Sequence, residues 1–394
     1  MDAVTFLLDV WTALLGIPCV VLFSEVIAAS LLPQQDDGGV GERRARIAVI
    51  VPAHNESIGL QPTLDDLKSQ LRSGDRLLVV ADNCTDDTAS VATKAGVEVA
   101  VRSDPAKIGK GYALDWGLNQ LAAEPPDVVI MVDADCRVCP GTMDRLASVC
   151  SKTNRPVQAL YLMTAPFGSS INHQVAEFAW RLKNWVRPLG LSSLGLPCQL
   201  MGSGMAFPWK VIREARLPGD SIVEDLKLGL DLARAGTAPV FCPSAIVRST
   251  FPKSAAGAHV QRQRWEQGHI ALILTLAPRL LLRALQRRDA RLLALVLDLC
   301  VPPLTVLGGM LTISLVLTGL AVAAGHSSFA AKLTFCCMML VFASILLSWL
   351  RHGRDILPGS SFALVGSYLA GKLHLYKVLL AGDKISRWIR ADRS

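Results

Sequence analysis

Charge is scarce in this sequence: Asp, Glu, Lys and Arg make up 19% of its 394 residues, while 51% are hydrophobic. With positive mean hydropathy, that balance points to a membrane protein rather than an ordinary soluble one. A disulfide framework is missing too. The ten cysteines are scattered, and several (Cys19, Cys300, Cys336, Cys337) lie inside apolar runs, as expected of reduced cytosolic thiols. Cys136-x-x-Cys139 has no second cysteine pair at zinc spacing, which argues against a zinc site. The first strand-like run, "VPAHNESIG", lacks the glycine-rich loop of a nucleotidyltransferase. No basic segment precedes the first apolar run, so that run does not fit a cleaved signal peptide. There is no internal repeat and no low-complexity tract.

What is present is a basic balance of +7, and its distribution matters more than its size. Arg43, Arg44 and Arg46 follow the first apolar segment. Arg283, Arg287, Arg288 and Arg291 precede the second, Arg351 and Arg354 follow the third, and Lys384, Arg387, Arg390 and Arg393 come last. Basic residues beside apolar spans follow the positive-inside rule and attract anionic lipid headgroups. Nucleic acid is therefore not an expected partner; membrane lipids are. Residues 5–32 are long enough to cross about 30 Å of hydrocarbon as a helix, with Asp9 and Glu25 toward its ends, where charge costs less. Residues 292–324 form a second span that Pro302-Pro303 is expected to kink or break. Residues 332–350 form a third. Residues 356–382, apolar but carrying Lys372, His374 and Lys377, suit a re-entrant or interfacial helix better than a third C-terminal span, which is the alternative. Residues 270–285 are too short and arginine-rich to cross, so an interfacial helix is expected. The resulting division is a membrane helix at 1–35, a cytosolic domain at 36–268, an interfacial helix at 269–291 and a membrane region at 292–394.

Between the apolar segments, strands alternate with helices. "RIAVIVPAHNE", "DRLLVVADN", "VEVAVRS" and "DVVIMVDAD" have strand character, and "IGLQPTLDDLKSQL", "DDTASVATKAG" and "GKGYALDWGLNQLAA" have helical spacing. The alternation predicts an α/β fold with a doubly wound, mostly parallel sheet. Three of the strands end in the same kind of residue: Asn55 and Glu56, Asp82 and Asn83, Asp133 and Asp135. In a parallel sheet these ends share one edge, where α/β folds bind ligands. Capping explains one acidic strand end but not three. It does suit Asp86 and Asp87, with Thr85 as the expected N-cap. Asp133-x-Asp135 offers hard oxygen donors for Mg²⁺ or Mn²⁺, with phosphate oxygens completing the shell. The loop Lys107–Gly111 adds exposed amides and a lysine suited to phosphate.

The ordered set Pro52-x-x-Asn55-Glu56, Asp82-Asn83, Gly109-Lys110, Asp133-x-Asp135, Gly202-Ser203-Gly204-Met205, Glu224-Asp225 and Gln261-x-x-Arg264-Trp265 resembles inverting family 2 glycosyltransferases. These are membrane transferases related to cellulose, chitin and hyaluronan synthases. The resemblance covers about residues 46–268. It implies a GT-A fold, a nucleotide-sugar donor, expected to be a UDP-sugar, and a divalent cation. It further implies that Glu56 and Asp82 hold the base and ribose, with Pro52, Asn55 and Lys110 nearby. Asp133 and Asp135 would meet the diphosphate through Mg²⁺ or Mn²⁺. Asp225 would serve as catalytic base beside Glu224. Gln261, Arg264 and Trp265, with Gly202, Ser203 and Gly204, would line the diphosphate and acceptor end. Family members often place threonine before the Glu-Asp pair; this chain has Val223.

The expected activity is transfer of a sugar to a lipid-linked or other membrane-proximal glycan acceptor in bacterial envelope or exopolysaccharide assembly. The enzyme would sit in the inner membrane, with its catalytic domain cytosolic, and could work beside other polysaccharide-assembly proteins. A processive synthase is the enzyme alternative, favoured by Gln-x-x-Arg-Trp and disfavoured by the few membrane segments. A non-catalytic nucleotide-sugar-binding scaffold is the alternative of another class, and the intact Asp133, Asp135 and Asp225 speak against it.

Overall fold

The computed structural model describes residues 2–34, 44–217 and 223–359. Most of the segment 356–382 lies outside them. In chain order the elements are α1 (Ala3–Leu31), β1 (Ile47–Ala53), α2 (Leu60–Lys68), β2 (Arg76–Asp82), α3 (Thr88–Lys94), β3 (Glu98–Arg102), α4 (Lys110–Leu121), β4 (Val128–Met131), β5 (Arg137–Val138), α5 (Thr142–Thr153) and β6 (Val157–Thr164). Then follow α6 (Ile171–Arg181), which runs through a π-helical turn (Leu182–Val186) into α7 (Arg187–Ser193), β7 (Met205–Pro208), α8 (Trp209–Glu214), α9 (Glu224–Arg234) and β8 (Val240–Thr250). The last are α10 (Ala255–Thr275), α11 (Ala277–Arg287), α12 (Ala290–Leu299), α13 (Leu304–Ala323) and α14 (Phe329–His352). Among the described residues these form two compact units. One comprises 44–168, 195–217 and 223–272; the other comprises 2–34, 169–194 and 273–359. Residues 169–194, within the 36–268 stretch, thus group with the apolar helices.

In the first unit the strands form one sheet in the order β3-β2-β1-β4-β7-β6-β8-β5. β1, β2 and β4 are continuous apolar runs because helices cover both faces, leaving no solvent face to favour alternation. Beneath α4 and α9, Ile50, Val80, Met131 and Phe207 pack with Leu114, Leu118, Leu228 and Leu232 into one core cluster. β1 pairs in parallel with β2 and β4, and β2 with β3. The chain winds outward through β1, β2 and β3, then returns to place β4 on the other side of β1. The crevice between the carboxyl ends of β1 and β4 is therefore the topological switch point. The sheet is mixed rather than uniformly parallel. β6 and β8 are parallel, but β7 runs antiparallel to both β4 and β6, and β5 to β8. This reversal has a functional consequence: the start of β7, with Gly202–Gly204 before it, falls at the carboxyl edge of β4.

The second unit contains three helices long and apolar enough to cross a membrane, α1, α13 and α14. The predicted span 292–324 is broken at Pro302-Pro303 into α12 and α13, since neither proline can donate the helical hydrogen bond. The predicted interfacial stretch 270–285 comprises the end of α10 and most of α11, interrupted before Pro278. Val260–Thr275 with Ala277–Arg287 is a further broken pair that passes the same test of length and apolarity. α13 and α14 lack the apolar-inside, polar-outside contrast of a soluble helix. The buried stripes mix small or polar residues (Ser314, Thr318, Ala330, Thr334, Ser344, Ser348) with Leu307, Leu311 and Val341, and Ser314 and Thr334 share a 3.0 Å hydrogen bond. The exposed faces carry Ile313, Val316, Leu320, Phe335 and Phe342. Hydrogen-bonded hydroxyls inside and large apolar side chains outside suit helices in lipid.

Glu25, toward the C-terminal end of α1, is neutralised within the protein and is only 2% exposed. Its Oε2 accepts from Arg187 Nε at 2.6 Å, and Arg187 Nη2 reaches Asp298 Oδ1 at 2.5 Å and the Asp298 carbonyl at 2.7 Å. One guanidinium thus joins α1, α7 and α12. Gly190, one turn on from Arg187, makes this approach possible: a Cβ there would lie 1.9 Å from the Glu25 carbonyl oxygen.

Candidate active site

Three loops at the carboxyl edge are tied together before any ligand is considered. Asn55, in the left-handed region at φ 56°, accepts from the Thr85 amide at 2.7 Å and from its hydroxyl at 3.3 Å. The Glu56 amide donates to Thr88 Oγ1 at 2.8 Å. α3 starts at Thr88, so Thr85 is not its N-cap; Asp86 instead accepts from the Thr88 amide at 3.0 Å and the Ser57 amide at 3.1 Å. Burial opposes the charge on Asp86, but the bonds from Thr88 and Ser57 prevail and hold its pKa down at about 2. Pro52, half-buried, closes the same end of β1. Asp82 is buried, and its Oδ1 accepts from Arg102 Nη1 at 2.5 Å and from Asn83 at 3.1 Å. Arg102 also binds the Lys107 carbonyl at 2.9 Å and Asp104 at 3.2 Å, and its guanidinium lies 5.6 Å from the Tyr112 ring centre. Sequence motifs gave no sign of Arg102. The β2–β3 register, which sets Asp82 opposite Arg102, is the signal that could have found it.

The second cluster centres on Lys110, the first residue of α4. Its Nζ donates to the Gly202 carbonyl at 2.7 Å and forms an ion pair with Asp133. The Asp133 amide donates to Ser203 Oγ at 3.0 Å, and the Gly204 amide to the Met131 carbonyl at 2.9 Å. Gly202 adopts φ +92°, and a Cβ there would come within 3.2 Å of Asp225 Oδ2 and 3.8 Å of Lys110 Nζ. Lys110, Asp133, Gly202 and Asp225 therefore converge on one spot. Of the three small residues only Gly202 is partly exposed; Ser203 and Gly204 are buried behind it. On α2, fully buried Thr63 sets its hydroxyl 2.8 Å from the Ala134 carbonyl and 2.7 Å from that of Cys136, holding the turn that carries Asp135.

Asp133, Asp135 and Cys136 bring potential ligand atoms within 4.8 Å of one another. Burial pushes the Cys136 thiol up to about 12, so it remains protonated. The two carboxylates are the hard donors, and the set fits Mg²⁺ or Mn²⁺ better than a thiophilic metal.

Glu224 and Asp225 occupy the first turn of α9. Burial and the neighbouring Asp225 charge push Glu224 up to about 7 against the pull of Lys110. Burial works against the Lys110 charge, but Asp133, Glu224 and Asp225 hold its pKa above the ordinary lysine value. On α10, Gln261 is buried and Arg264 and Trp265 are half-buried. Burial lowers the Arg264 pKa, with the Glu224 charge opposing. Val223 is buried, and an added Cβ at Gly268 of α10 would lie 2.8 Å from its Cγ1. The residue that replaces the family's threonine thus packs against the helix bearing Gln261, Arg264 and Trp265.

The raised Glu224 pKa has a measurable sign. From about pH 4.5 to about 7 the folded protein keeps a proton that the unfolded chain has lost, so stability falls as pH rises through that window. Glu224→Gln removes that decline. Its melting temperature is expected to exceed that of the wild type at pH 8, with the gap shrinking toward pH 5. A pH-independent difference would contradict this account.

A metal-suited carboxylate pair at the switch point, with a lysine and a second carboxylate pair beside it on a mixed α/β sheet, is the arrangement of a GT-A glycosyltransferase. The comparisons agree: residues 45–268 match the model of the glycosyltransferase-like family 2, and the chain belongs to that family. A glycosyltransferase of Mycobacterium bovis is 33% identical over 188 residues, spanning 42% of this chain and 82% of that one; a Mycobacterium tuberculosis glycosyltransferase matches to the same extent. Among solved structures, a mannosyltransferase from Pyrobaculum calidifontis, in complex with GDP-Man and Mn²⁺, superposes with a TM-score of 0.58. It is 17% identical, the match covering 89% of this chain and 99% of that one, which speaks to fold alone. The protein is an enzyme that transfers a sugar from a nucleotide-sugar donor.

Proposed function

We propose that this enzyme is a membrane-bound inverting glycosyltransferase that adds sugar to a lipid-linked or membrane-proximal acceptor in envelope or exopolysaccharide assembly. The observation that carries the chemistry is Lys110, which pairs with Asp133 of the metal-suited carboxylates while its field also takes in Asp225. Donor diphosphate and base are thereby brought within reach of one ammonium group. Asp82, oriented by Arg102, and Glu56 bind the nucleoside end. Asp133 and Asp135 hold Mg²⁺ or Mn²⁺, which supplies charge neutralisation for the departing nucleoside diphosphate. Asp225 takes the proton of the acceptor hydroxyl as that oxygen attacks the anomeric carbon, and Lys110 and Arg264 add positive charge on the leaving-group side. Trp265 offers an indole face to a sugar ring. One displacement inverts the centre, giving a β-linked product from an α-linked donor. The large apolar residues exposed on α13 and α14, and the basic residues flanking the apolar segments, support a bacterial inner-membrane enzyme whose catalytic unit faces the cytosol.

The test is nucleotide release by purified, detergent-solubilised enzyme supplied with UDP-, GDP- or dTDP-sugars, Mg²⁺ or Mn²⁺ and membrane lipid extract. Release that requires metal and is lost in Asp135→Asn, with an inverted product by NMR, is the expected result. Retention of configuration would overturn the displacement mechanism. Metal-independent release would overturn the roles of Asp133 and Asp135.

A further inference from the structure

We infer that Gln158, which the sequence motifs leave unassigned, is a positioning residue that holds the transfer site in register through the turn before β7; this rests on the metal-dependent reading above. Gln158 lies on β6 and is fully buried. Its amide is engaged on both sides. Nε2 donates to the Ser203 carbonyl at 2.9 Å and the Ala159 carbonyl at 2.8 Å, and Oε1 accepts from the Met201 amide at 2.8 Å. Two carbonyls on one side and an N–H on the other fix which end of the amide is nitrogen.

The backbone alone does not hold this turn. The β6–β7 ladder consists of Val157 opposite Ala206 and Gln158 opposite Met205. Beyond it, the Ala159 amide donates to the Gly204 carbonyl at 2.8 Å, and there the main-chain bonds between these strands stop. Met201–Ser203 are then held by side chains, with Gln158 gripping Met201 and Ser203 on either side of Gly202. Three of the site's contacts are made with those residues. The Gly202 carbonyl receives Lys110, the Gly202 Cα faces Asp225, and Ser203 Oγ receives the Asp133 amide and lies 3.2 Å from Cys136 Sγ. Gln158 approaches the metal-suited carboxylates only through Ser203. It acts through the turn, so it positions the site without being a catalytic residue.

The substitution chemistry is specific. Leucine fills similar space but leaves the Met201 amide and Ser203 carbonyl unpaired in a buried place, a cost the turn escapes only by moving. Ionised glutamate accepts from Met201 but turns an oxygen toward two carbonyls. Protonated glutamate regains a donor for Ser203.

Mn²⁺ affinity tests this without knowledge of the donor sugar. Free and bound Mn²⁺ are measured by EPR on the full-length, solubilised protein in the presence of UDP and, separately, GDP. Wild type, Asp135→Asn, Gln158→Leu and Gln158→Glu are compared at pH 5.5 and 8.5. Loss of a direct outer-shell partner of a metal ligand typically weakens affinity about 10- to 100-fold; Gln158 acts one step further out, so a loss at the low end, about 10-fold, is expected for Gln158→Leu at both pH values. Gln158→Glu should stay closer to the wild type than Gln158→Leu does, and closest at pH 5.5. Wild-type affinity in both variants would overturn the inference. So would equal loss in both at both pH values with a collapse in melting temperature, which marks a purely structural role. If wild type and Asp135→Asn bind Mn²⁺ alike, the metal reading itself falls and this inference with it.

Discussion

Asp225→Asn is expected to lower sugar transfer about 10²- to 10⁴-fold, the usual worth of a positioned general base, while Mn²⁺ and nucleotide binding change less than about threefold, because an uncharged isostere leaves the donor's cradle of Lys110, Asp133 and Asp135 in place. The asparagine fills the same space beside Gly202 but cannot accept the acceptor's proton. Glu224 is a poor substitute. Asp225 is the carboxylate whose oxygen closely faces Gly202, where Lys110 and Asp133 converge. The companion measurement is chemical rescue: azide, an anionic nucleophile with no proton to lose, should restore nucleotide release to Asp225→Asn more than to Asp135→Asn. Turnover within tenfold of wild type in Asp225→Asn would remove Asp225 from the base role. An equal loss of donor binding would recast it as a donor ligand.

Much of this architecture is legible in the sequence because it depends on local pattern. "RIAVIVPA" and "DVVIMVDAD" are strands by apolar run length, and their polar ends share an edge once the sheet is parallel. Asp133, Asp135, Lys110 and Asp225 are found by motif, since each motif is a short stretch folding as one turn. What escapes is whatever depends on pairing between distant segments. Arg102 sits beside Asp82 only through the β2–β3 register, and Gln158 reaches Met201 and Ser203 only because β7 runs antiparallel to β6. The reversal of β7 is itself invisible to strand–helix alternation, which speaks for parallel neighbours. Thr85 as N-cap failed for a related reason: the Asn55 side chain claims the Thr85 amide from thirty residues away, and Asp86 serves Thr88 instead. Glu25 shows the limit of hydropathy. A charge in an apolar helix looks tolerable near its end, and the helix that neutralises it lies 162 residues further on.

That ion cluster carries the second large expected effect. Arg187→Met should destabilise the helical unit by about 3–5 kcal/mol, the range seen when one partner of a buried pair is removed. The loss comes from what remains. Glu25 and Asp298 are 2% and 6% exposed, and without Arg187 they share a buried space from which the cation that pairs them, among the described residues, is gone. The lost attraction itself is the smaller part, because desolvating the guanidinium had offset most of it. Glu25→Met, Arg187→Met and Asp298→Leu combined should therefore recover most of the stability lost in Arg187→Met alone, since apolar replacement of a whole buried ion cluster is often neutral or favourable. Unfolding of the solubilised protein by heat, followed by circular dichroism, reads both steps. A triple variant no more stable than the single one would show that the cluster contributes attraction rather than mutual neutralisation. If the triple variant is stable but folds to more than one form, Arg187 is needed for specificity. α1 and α7 cross where Gly190 lets their backbones approach within a methyl group's width, and Arg187 carries the contact on to α12; a directional, charge-specific contact fixes the register of such a crossing where interchangeable aliphatic side chains do not.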